Sequence, residues 1–103
     1  MKFMFVYILE CADGSYYTGA TNNLDLRLEQ HQQGVNPDSY TFSRRPVQLA
    51  FYQMFNSPLM AFDFETKIKK WSRAKKKALI DEQYHKLPLL SKKNFKSLKQ
   101  DQE

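Results

Sequence analysis

One glutamate falls within the apolar stripe of a predicted helix, where its carboxylate could bind a metal ion. Glu65 lies next to Ala61 and Ile68 on this stripe, which Phe64 and Trp71 complete. A carboxylate on this side of a helix must be paired, protonated or bound to a metal. Mg²⁺ suits the position, because it takes only one or two protein carboxylates and keeps several waters. The alternative is a structural ion pair.

An arginine and a histidine lie beside the apolar face of another predicted helix. Arg27 and His31 are one turn apart, next to Leu24 and Leu28, which define the buried face at i, i+4 spacing. Burying a charge is costly unless it is paired, so this spacing predicts a polar cleft at the edge of the apolar face. Two alternatives stay open: Arg27 reaches solvent while His31 stabilises the helix C-terminus, or Arg27 is the ion-pair partner of Glu65.

Two predicted strands each contribute a tyrosine that could take part in the same chemistry. Tyr7 lies on the first strand, and Tyr17 lies on the second beside Tyr16. Tyrosines in sheets are more often core residues than catalysts. The reference pKa of tyrosine is near 10, so it needs a neighbouring cation, metal or base to accept a proton at neutral pH. The tyrosines therefore gain meaning only together with the arginine, histidine and glutamate.

Turn signals and apolar runs predict the elements that position these residues. The dipeptide Asp13-Gly14 predicts a hairpin turn, Gly34 is placed to end a helix, and Ser57 followed by proline starts another. The predicted elements are a strand over 3–10, a strand over 16–20, a helix over 24–33, a loop over 35–45, a strand over 47–55, a helix from Pro58 to about Trp71 or Arg73, a helix over 74–83 and a short terminal helix over 91–98. This order, β-β-α-β-α-α, predicts an α/β (α+β) fold.

Length and composition predict one small soluble domain. The 103 residues fit a single domain, and the 42% apolar fraction is sufficient for a core. A single cysteine, Cys11, excludes an internal disulfide and a cysteine-based zinc site. The apolar run after Lys2 is too short for a signal peptide and ends in Glu10. No run approaches the roughly 18 apolar residues of a membrane span. The predicted location is therefore cytoplasmic, without a membrane partner.

Positive charge is concentrated after Glu65. Residues 1–65 carry four basic and seven acidic side chains, a balance of −3, whereas residues 66–103 carry twelve basic and four acidic ones, a balance of +8. This asymmetry is compatible with a solvated helix face or with a surface that contacts nucleic-acid phosphates. The candidate nucleic-acid-binding residues are Arg44, Arg45, Lys67, Lys69, Lys70, Arg73, Lys75, Lys76 and Lys77.

Ordered motifs from about residue 3 to residue 80 resemble the GIY-YIG nuclease domain. They are Val6-Tyr7-Ile8-Leu9, Tyr17-Thr18-Gly19, Arg27 followed by His31, the loop Tyr40-Thr41-Phe42-Ser43-Arg44-Arg45-Pro46, and Glu65. The chain is most similar to the compact stand-alone members of that superfamily. It departs from the pattern in three ways: Phe5-Val6-Tyr7 lacks the family's glycine, Thr18 replaces an apolar residue, and Asn94 is too far downstream to be assigned as the family's supporting asparagine.

The resemblance implies a three-stranded antiparallel sheet flanked by helices, and metal-dependent hydrolysis of phosphodiester bonds. Glu65 would then hold one Mg²⁺ or Mn²⁺ ion. Tyr7 would act as a general base on the attacking water or position it, and His31 could take its proton. Arg27 would neutralise charge on the phosphoryl oxygens, and Tyr17 would orient the phosphate or the water. Arginine and a metal both stabilise charge that develops in the transition state.

Three functions are compatible with these patterns. The favoured one is an endonuclease of low sequence specificity that cleaves DNA in preference to RNA. Whether it selects particular DNA structures is left open. The second is a nucleic-acid-binding module with the same fold and little or no activity. The third is a protein-interaction domain that uses its aromatic surface. The predicted nuclease domain covers residues 1–85, and residues 86–103 form a basic C-terminal extension, either a short helix or partly disordered.

Overall fold

A computed structural model describes residues 3–86, which form three strands and three α-helices. The elements are β1 (Met4–Glu10), β2 (Tyr16–Thr21), α1 (Leu24–Gln33), β3 (Gln48–Phe55), α2 (Pro58–Lys69) and α3 (Arg73–Lys86), with a 3₁₀ turn at Phe42–Arg44. The predicted element order and the α+β class are confirmed. The predicted terminal helix over 91–98, Asn94 and the extension after Lys86 lie outside the described residues.

The chain divides into two compact units, residues 1–73 and residues 74–103. The first unit contains the sheet, α1 and α2. The second contains α3 apart from its first residue, and in it Lys77 pairs with Asp81 one turn later at 3.2 Å. Within residues 3–86, no helix is long and apolar enough to cross a membrane.

Strand β1 occupies the centre of the sheet. The strand order is β2-β1-β3, and both pairings are antiparallel. Val6, Tyr7, Ile8 and Leu9 are all fully buried, as expected for a strand that is covered on both faces. Because side chains alternate along a strand, Tyr7 and Leu9 lie on one face and Val6 and Ile8 on the other.

Helix α1 packs on the face of the sheet that carries Tyr7. Leu24 and Leu28 lie against the buried cluster to which Tyr7 belongs. The helix begins where the side chain of Asn23 accepts a hydrogen bond from the Leu26 amide at 3.1 Å. It ends at Gly34, whose φ of +67° places it in the left-handed region that favours glycine. These caps fix where the polar edge of α1 meets the sheet.

Helix α2 packs through the predicted apolar stripe. Ala61 and Ile68 are fully buried, and the Phe64 ring lies 6.4 Å from Phe51 of β3. The helix ends at Lys69, before the predicted end at Trp71 or Arg73. The reason is that the next amides bond to carbonyls three residues earlier, including the Trp71 amide to Ile68 at 3.0 Å, so the last turn tightens.

One buried hydroxyl group of β2 generates a stability prediction. Oγ1 of Thr18 has no hydrogen-bond partner among the described residues, although Thr18 is only 3% exposed. Burial of an unpaired hydroxyl costs about 1–3 kcal/mol. We expect Thr18→Val to raise the free energy of unfolding by about 1 kcal/mol in urea denaturation.

Thr21→Val is the matched control for this prediction. Thr21 is also buried, but its hydroxyl donates to the Asn23 carbonyl at 3.3 Å and accepts from the Asn23 amide at 3.1 Å. Its replacement should therefore lower the free energy of unfolding by about 1 kcal/mol. A Thr18→Val protein no more stable than wild type would contradict this account of Thr18.

Candidate active site

The side chain of Tyr7 crosses the neighbouring strand at a glycine. The register of β1 and β2 places Tyr7 opposite Gly19. A Cβ atom at Gly19 would lie 2.5 Å from the Tyr7 hydroxyl oxygen and 2.7 Å from the ring carbon that bears it. Any other residue at this position would displace the phenol. The glycine of the second sequence motif thus provides the space in which Tyr7 lies.

His31 bonds to Tyr7 on one side of its ring and to Thr41 on the other. The Tyr7 hydroxyl is 3.0 Å from Nε2, and Nδ1 is 2.8 Å from Oγ1 of Thr41. His31 is 8% exposed and Thr41 is 1% exposed. The imidazole of His31 therefore points into the protein. Its side-chain partners are Tyr7 and Thr41, rather than the C-terminal carbonyls of the helix as the alternative supposed.

Arg27 lies at the edge of the same cluster. Its side chain is half-buried and close enough to the Tyr7 hydroxyl to lower the pKa of Tyr7. This arginine is therefore only partly exposed and does not extend fully into solvent. The polar edge of α1, predicted from the positions of Arg27 and His31, faces Tyr7.

Burial sets the protonation states of Tyr7 and His31. Burial, with smaller contributions from Tyr17 and Glu65, raises the pKa of Tyr7 to about 12, although Arg27 acts in the opposite direction. Burial, and then the positive charge of Arg27, lower the pKa of His31 below its usual range. At neutral pH a protonated phenol therefore faces a neutral imidazole. Nε2 of His31 can accept the proton that the phenol donates.

Glu65 of α2 acts on Tyr7 through its charge. Its side chain is 16% exposed and close enough for its charge to raise the pKa of Tyr7. Among the described residues its ion-pair partner is Lys69, at 3.3 Å, rather than Arg27 as the alternative supposed. Residues 3–86 contain no group of three or more His, Cys, Asp or Glu side chains that could hold a metal. A single accessible carboxylate suits Mg²⁺, which can keep waters as its other ligands.

Aromatic rings enclose the side of the cluster next to β2. The Tyr17 ring centre lies 5.2 Å from that of His31 and 6.4 Å from that of Tyr7. Tyr40 stacks on Tyr17 at 6.1 Å with an interplanar angle of 19°. The guanidinium of Arg44 covers the Tyr40 ring at 3.8 Å. Together these rings limit the orientations open to Tyr17.

A cavity of about 270 Å³ opens beside these side chains. Tyr17, Arg27 and His31 contribute to its lining, and so do Ser39 and Thr41 of the following loop. The structure therefore brings Tyr7, Tyr17 and His31 into contact, with Arg27 and Glu65 within electrostatic range of Tyr7. Tyr7 and Glu65 are not among the residues that line the cavity. This arrangement can orient an anionic group and move a proton.

The two loop arginines predicted to contact nucleic acid bind the protein itself. Arg44 pairs with Asp13 at 3.1 Å and donates to the Tyr40 carbonyl at 2.7 Å. Arg45 donates to the Phe42 carbonyl at 2.8 Å, and its guanidinium lies where a Cβ at Gly34 would be. Both guanidinium groups therefore hold the loop in place, and their contact with nucleic acid stays a prediction.

The remaining predicted nucleic-acid contacts differ in exposure. Arg73 donates to the Gly14 carbonyl at 2.9 Å and lies over the Tyr16 ring at 4.8 Å. The exposed lysines in the first unit are Lys67, Lys69 and Lys70; in the second unit Lys75 and Lys77 are exposed, whereas Lys76 is buried. The exposed lysines of the first unit follow Glu65 directly in α2 and the turn after it.

Sequence reasoning did not include Ser39 and Thr41 among the site residues. Both belong to the polar loop before β3, and Thr41 was named only as part of a motif. The position of Thr41 next to Tyr40 in that motif is the one sequence signal for it. The spacing between Thr41 and His31 follows no helical or strand period, because a loop residue meets a helix residue only in the folded chain.

Comparisons with known proteins show the family to which this chain is similar. The family described as "GIY-YIG catalytic domain" matches residues 3–78. A UPF0213 protein of Syntrophus aciditrophicus is 47% identical over 76 residues, which cover 74% of this chain and 87% of that protein. A UPF0213 protein of Bacillus pumilus is 42% identical over 78 residues, 76% of this chain and 79% of that protein.

Two solution NMR structures are also similar to this chain. The UPF0213 protein BH0048 from Bacillus halodurans is 40% identical, with a TM-score of 0.51 and coverage of 77% of this chain and 83% of that one. The protein EF2693 from E. faecalis is 29% identical, with a TM-score of 0.58 and coverage of 82% and 88%. The sequence resemblance and the fold class are thereby confirmed.

The lowered pKa of His31 predicts how stability depends on pH. Below about pH 6.5 the unfolded chain binds a proton at His31 that the folded protein resists. The contribution of His31 to stability is thus complete above pH 6.5 and decreases as pH falls, by up to about 1.4 kcal/mol per pH unit. His31→Gln removes this dependence.

Urea denaturation from pH 8 down to pH 5, in chelator, measures the effect. We expect the free energy of unfolding of wild type to decrease more than that of His31→Gln as pH falls. Both proteins contain His85, so it does not contribute to the difference between them. Parallel stability profiles would contradict the assignment of a buried neutral imidazole.

Proposed function

Because the chain belongs to the GIY-YIG catalytic-domain family, we propose that it is a divalent-metal-dependent endonuclease that hydrolyses phosphodiester bonds in DNA. GIY-YIG proteins are nucleases, and they generally use divalent metals. The observation that supports the proposal most directly is the contact of Tyr7 with His31, with Arg27 and Glu65 within electrostatic range. A protein that only bound nucleic acid would have no need for a buried phenol between an arginine and a neutral imidazole.

Glu65 would hold a single Mg²⁺ or Mn²⁺ ion together with water and a substrate oxygen. When bound, this ion supplies positive charge that stabilises the phosphoryl transition state and lowers the pKa of nearby groups. Lys69, which is exposed and pairs with Glu65, can turn toward solvent or a phosphate without disturbing the core. The carboxylate is thus available for a cation without rearrangement of α2.

Tyr7 would position the attacking water or accept its proton. With a pKa of about 12, only about one Tyr7 in 10⁵ is ionised at pH 7. Reaching the ionised form costs about 7 kcal/mol unless a cation stabilises it. Arg27 is close enough to lower the pKa of Tyr7, and Nε2 of His31 can receive its proton. These contacts are the ones that a tyrosine base requires.

Arg27 and Tyr17 would bind the scissile phosphate. Both line the cavity next to Tyr7. The guanidinium of Arg27 can neutralise charge on the phosphoryl oxygens, and charge-assisted hydrogen bonds of this type are strong. The Tyr17 hydroxyl can orient the phosphate or the water, because its ring is fixed between His31 and Tyr40.

The lysines of α2 and the following turn would contact the nucleic-acid backbone. Lys67, Lys69 and Lys70 are exposed close in sequence to Glu65, and Arg73, Lys75 and Lys77 continue the run. Contacts of this kind recognise phosphates rather than bases, so sequence specificity would be low. Arg44 and Arg45 would act mainly by holding the loop over Tyr17. Among the lysines predicted to bind nucleic acid, Lys76 is buried and therefore the least accessible.

A cleavage assay with matched variants tests this function. Plasmid, branched and single-stranded DNA, and RNA of the same sequences, are incubated with protein in Mg²⁺, in Mn²⁺ or in chelator. We expect metal-dependent cleavage that Tyr7→Phe and Glu65→Gln each reduce by at least about 10²-fold. Tyr52→Phe and Glu29→Gln, which alter exposed residues outside the site, should retain wild-type activity.

Two other outcomes would overturn the proposal. Cleavage that Glu65→Gln leaves unchanged would show that the activity belongs to another site or another protein. Binding without cleavage in either metal, weakening steeply with salt, would identify a nucleic-acid-binding module instead. The exposed lysines favour this second function as the alternative.

A further inference from the structure

Two hydroxyl groups continue the Tyr7–His31 hydrogen bond to the cavity. Oγ1 of Thr41, which contacts Nδ1 of His31, lies 3.0 Å from Oγ of Ser39. The Thr41 amide also donates to Ser39 Oγ at 3.3 Å, which fixes the two hydroxyls relative to each other. Thr41 is almost completely buried, Ser39 is half-buried, and both residues line the cavity. A continuous row of hydrogen bonds therefore runs from the buried phenol to the cavity.

The direction of these hydrogen bonds is set at the Tyr7 end. The Tyr7 hydroxyl is protonated at neutral pH, and Nε2 of His31 lies 3.0 Å from it, so its proton is directed toward Nε2. A neutral imidazole that accepts at Nε2 carries its proton on Nδ1. Nδ1–H then donates to Thr41 Oγ1, and the Thr41 hydroxyl donates to Ser39 Oγ. Each hydrogen bond then points from the buried phenol toward Ser39.

We propose that Thr41, supported by Ser39, is a positioning residue that holds His31 in its Nδ1–H tautomer and leads a proton from Tyr7 to the cavity. The proposal rests on the proposed nuclease function, in which Tyr7 must lose its proton. Without the Thr41 hydroxyl, nothing described at Nδ1 would favour one tautomer over the other. A histidine protonated on Nε2 has no lone pair there and cannot accept from Tyr7.

The proton transfer balances without a charged imidazole. The Tyr7 proton moves to Nε2, the Nδ1 proton moves to Thr41, the Thr41 hydroxyl proton moves to Ser39, and the Ser39 proton passes to water in the cavity. His31 ends neutral with its proton on Nε2, and the negative charge remains on the Tyr7 oxygen beside Arg27. An imidazolium would instead be buried close to the Arg27 guanidinium, where like charges repel.

The tautomer can be measured directly by ¹⁵N NMR of the imidazole, without substrate or metal. The spectra are recorded in a His85→Gln background, at a pH where His31 is neutral, so that only His31 contributes. In the wild-type site we expect a protonated Nδ1 and an unprotonated Nε2. Thr41→Val should give a mixture of the two tautomers, and Thr41→Ser should restore the single one.

Thr18→Val is the matched control, because it also replaces a buried threonine but its hydroxyl contacts neither His31 nor any described partner. This variant should leave the imidazole signals unchanged. A protonated Nε2 in the wild-type site, or an unaltered tautomer in Thr41→Val, would overturn the proposal. The NMR result does not depend on cleavage. A protein without nuclease activity would refute the proposed function, whereas the NMR spectra alone decide the tautomer of His31.

Cleavage kinetics test the catalytic consequence. We expect Thr41→Val to lower kcat about 10- to 100-fold, as is usual for groups that orient a catalytic histidine, with KM unchanged. Thr41→Ser should recover most of the rate, and Ser39→Ala should lower kcat by less than Thr41→Val. A change in KM alone, or full activity in Thr41→Val, would contradict a positioning role.

Discussion

Tyr7 has no exposed surface on the central strand, yet its hydroxyl group must find hydrogen-bond partners inside the protein. His31 provides one, Arg27 lies close enough to lower the pKa of Tyr7, and Gly19 provides the space for the ring. This one requirement explains why α1 carries an arginine and a histidine on its apolar edge. It also explains why β2 has a glycine opposite Tyr7. The rest of the site is arranged around these contacts.

Burial of the phenol also couples Tyr7 to Glu65. The raised pKa keeps Tyr7 protonated, and the negative charge of Glu65 contributes to that effect. A cation bound by Glu65 would reverse the sign of this contribution and make loss of the proton easier. In the proposed function, Tyr7 would therefore become a stronger base when Glu65 holds a cation.

Much of this arrangement could be predicted from sequence because it depends on local signals. Asn23 and Gly34 give the bounds of α1, and the apolar run of β1 indicates a strand covered on both faces. Arg27 and Glu65 stand out because a charge on an apolar face needs a partner. The role of Thr41 could not be predicted, because its contact with His31 forms only when the loop takes its final position. The pairing of Lys69 with Glu65 has the i, i+4 spacing of a helix and was open to prediction.

The central claim is that Glu65 and Tyr7 serve one divalent cation in one site. The most direct measurement is the broadening of backbone amide NMR signals by Mn²⁺, in wild type and in Glu65→Gln. The account predicts that substoichiometric Mn²⁺ broadens the amide signals of Tyr7, Gly19 and Glu65 in wild type and leaves them sharp in Glu65→Gln. Broadening centred elsewhere, or equal broadening in both proteins, would contradict it.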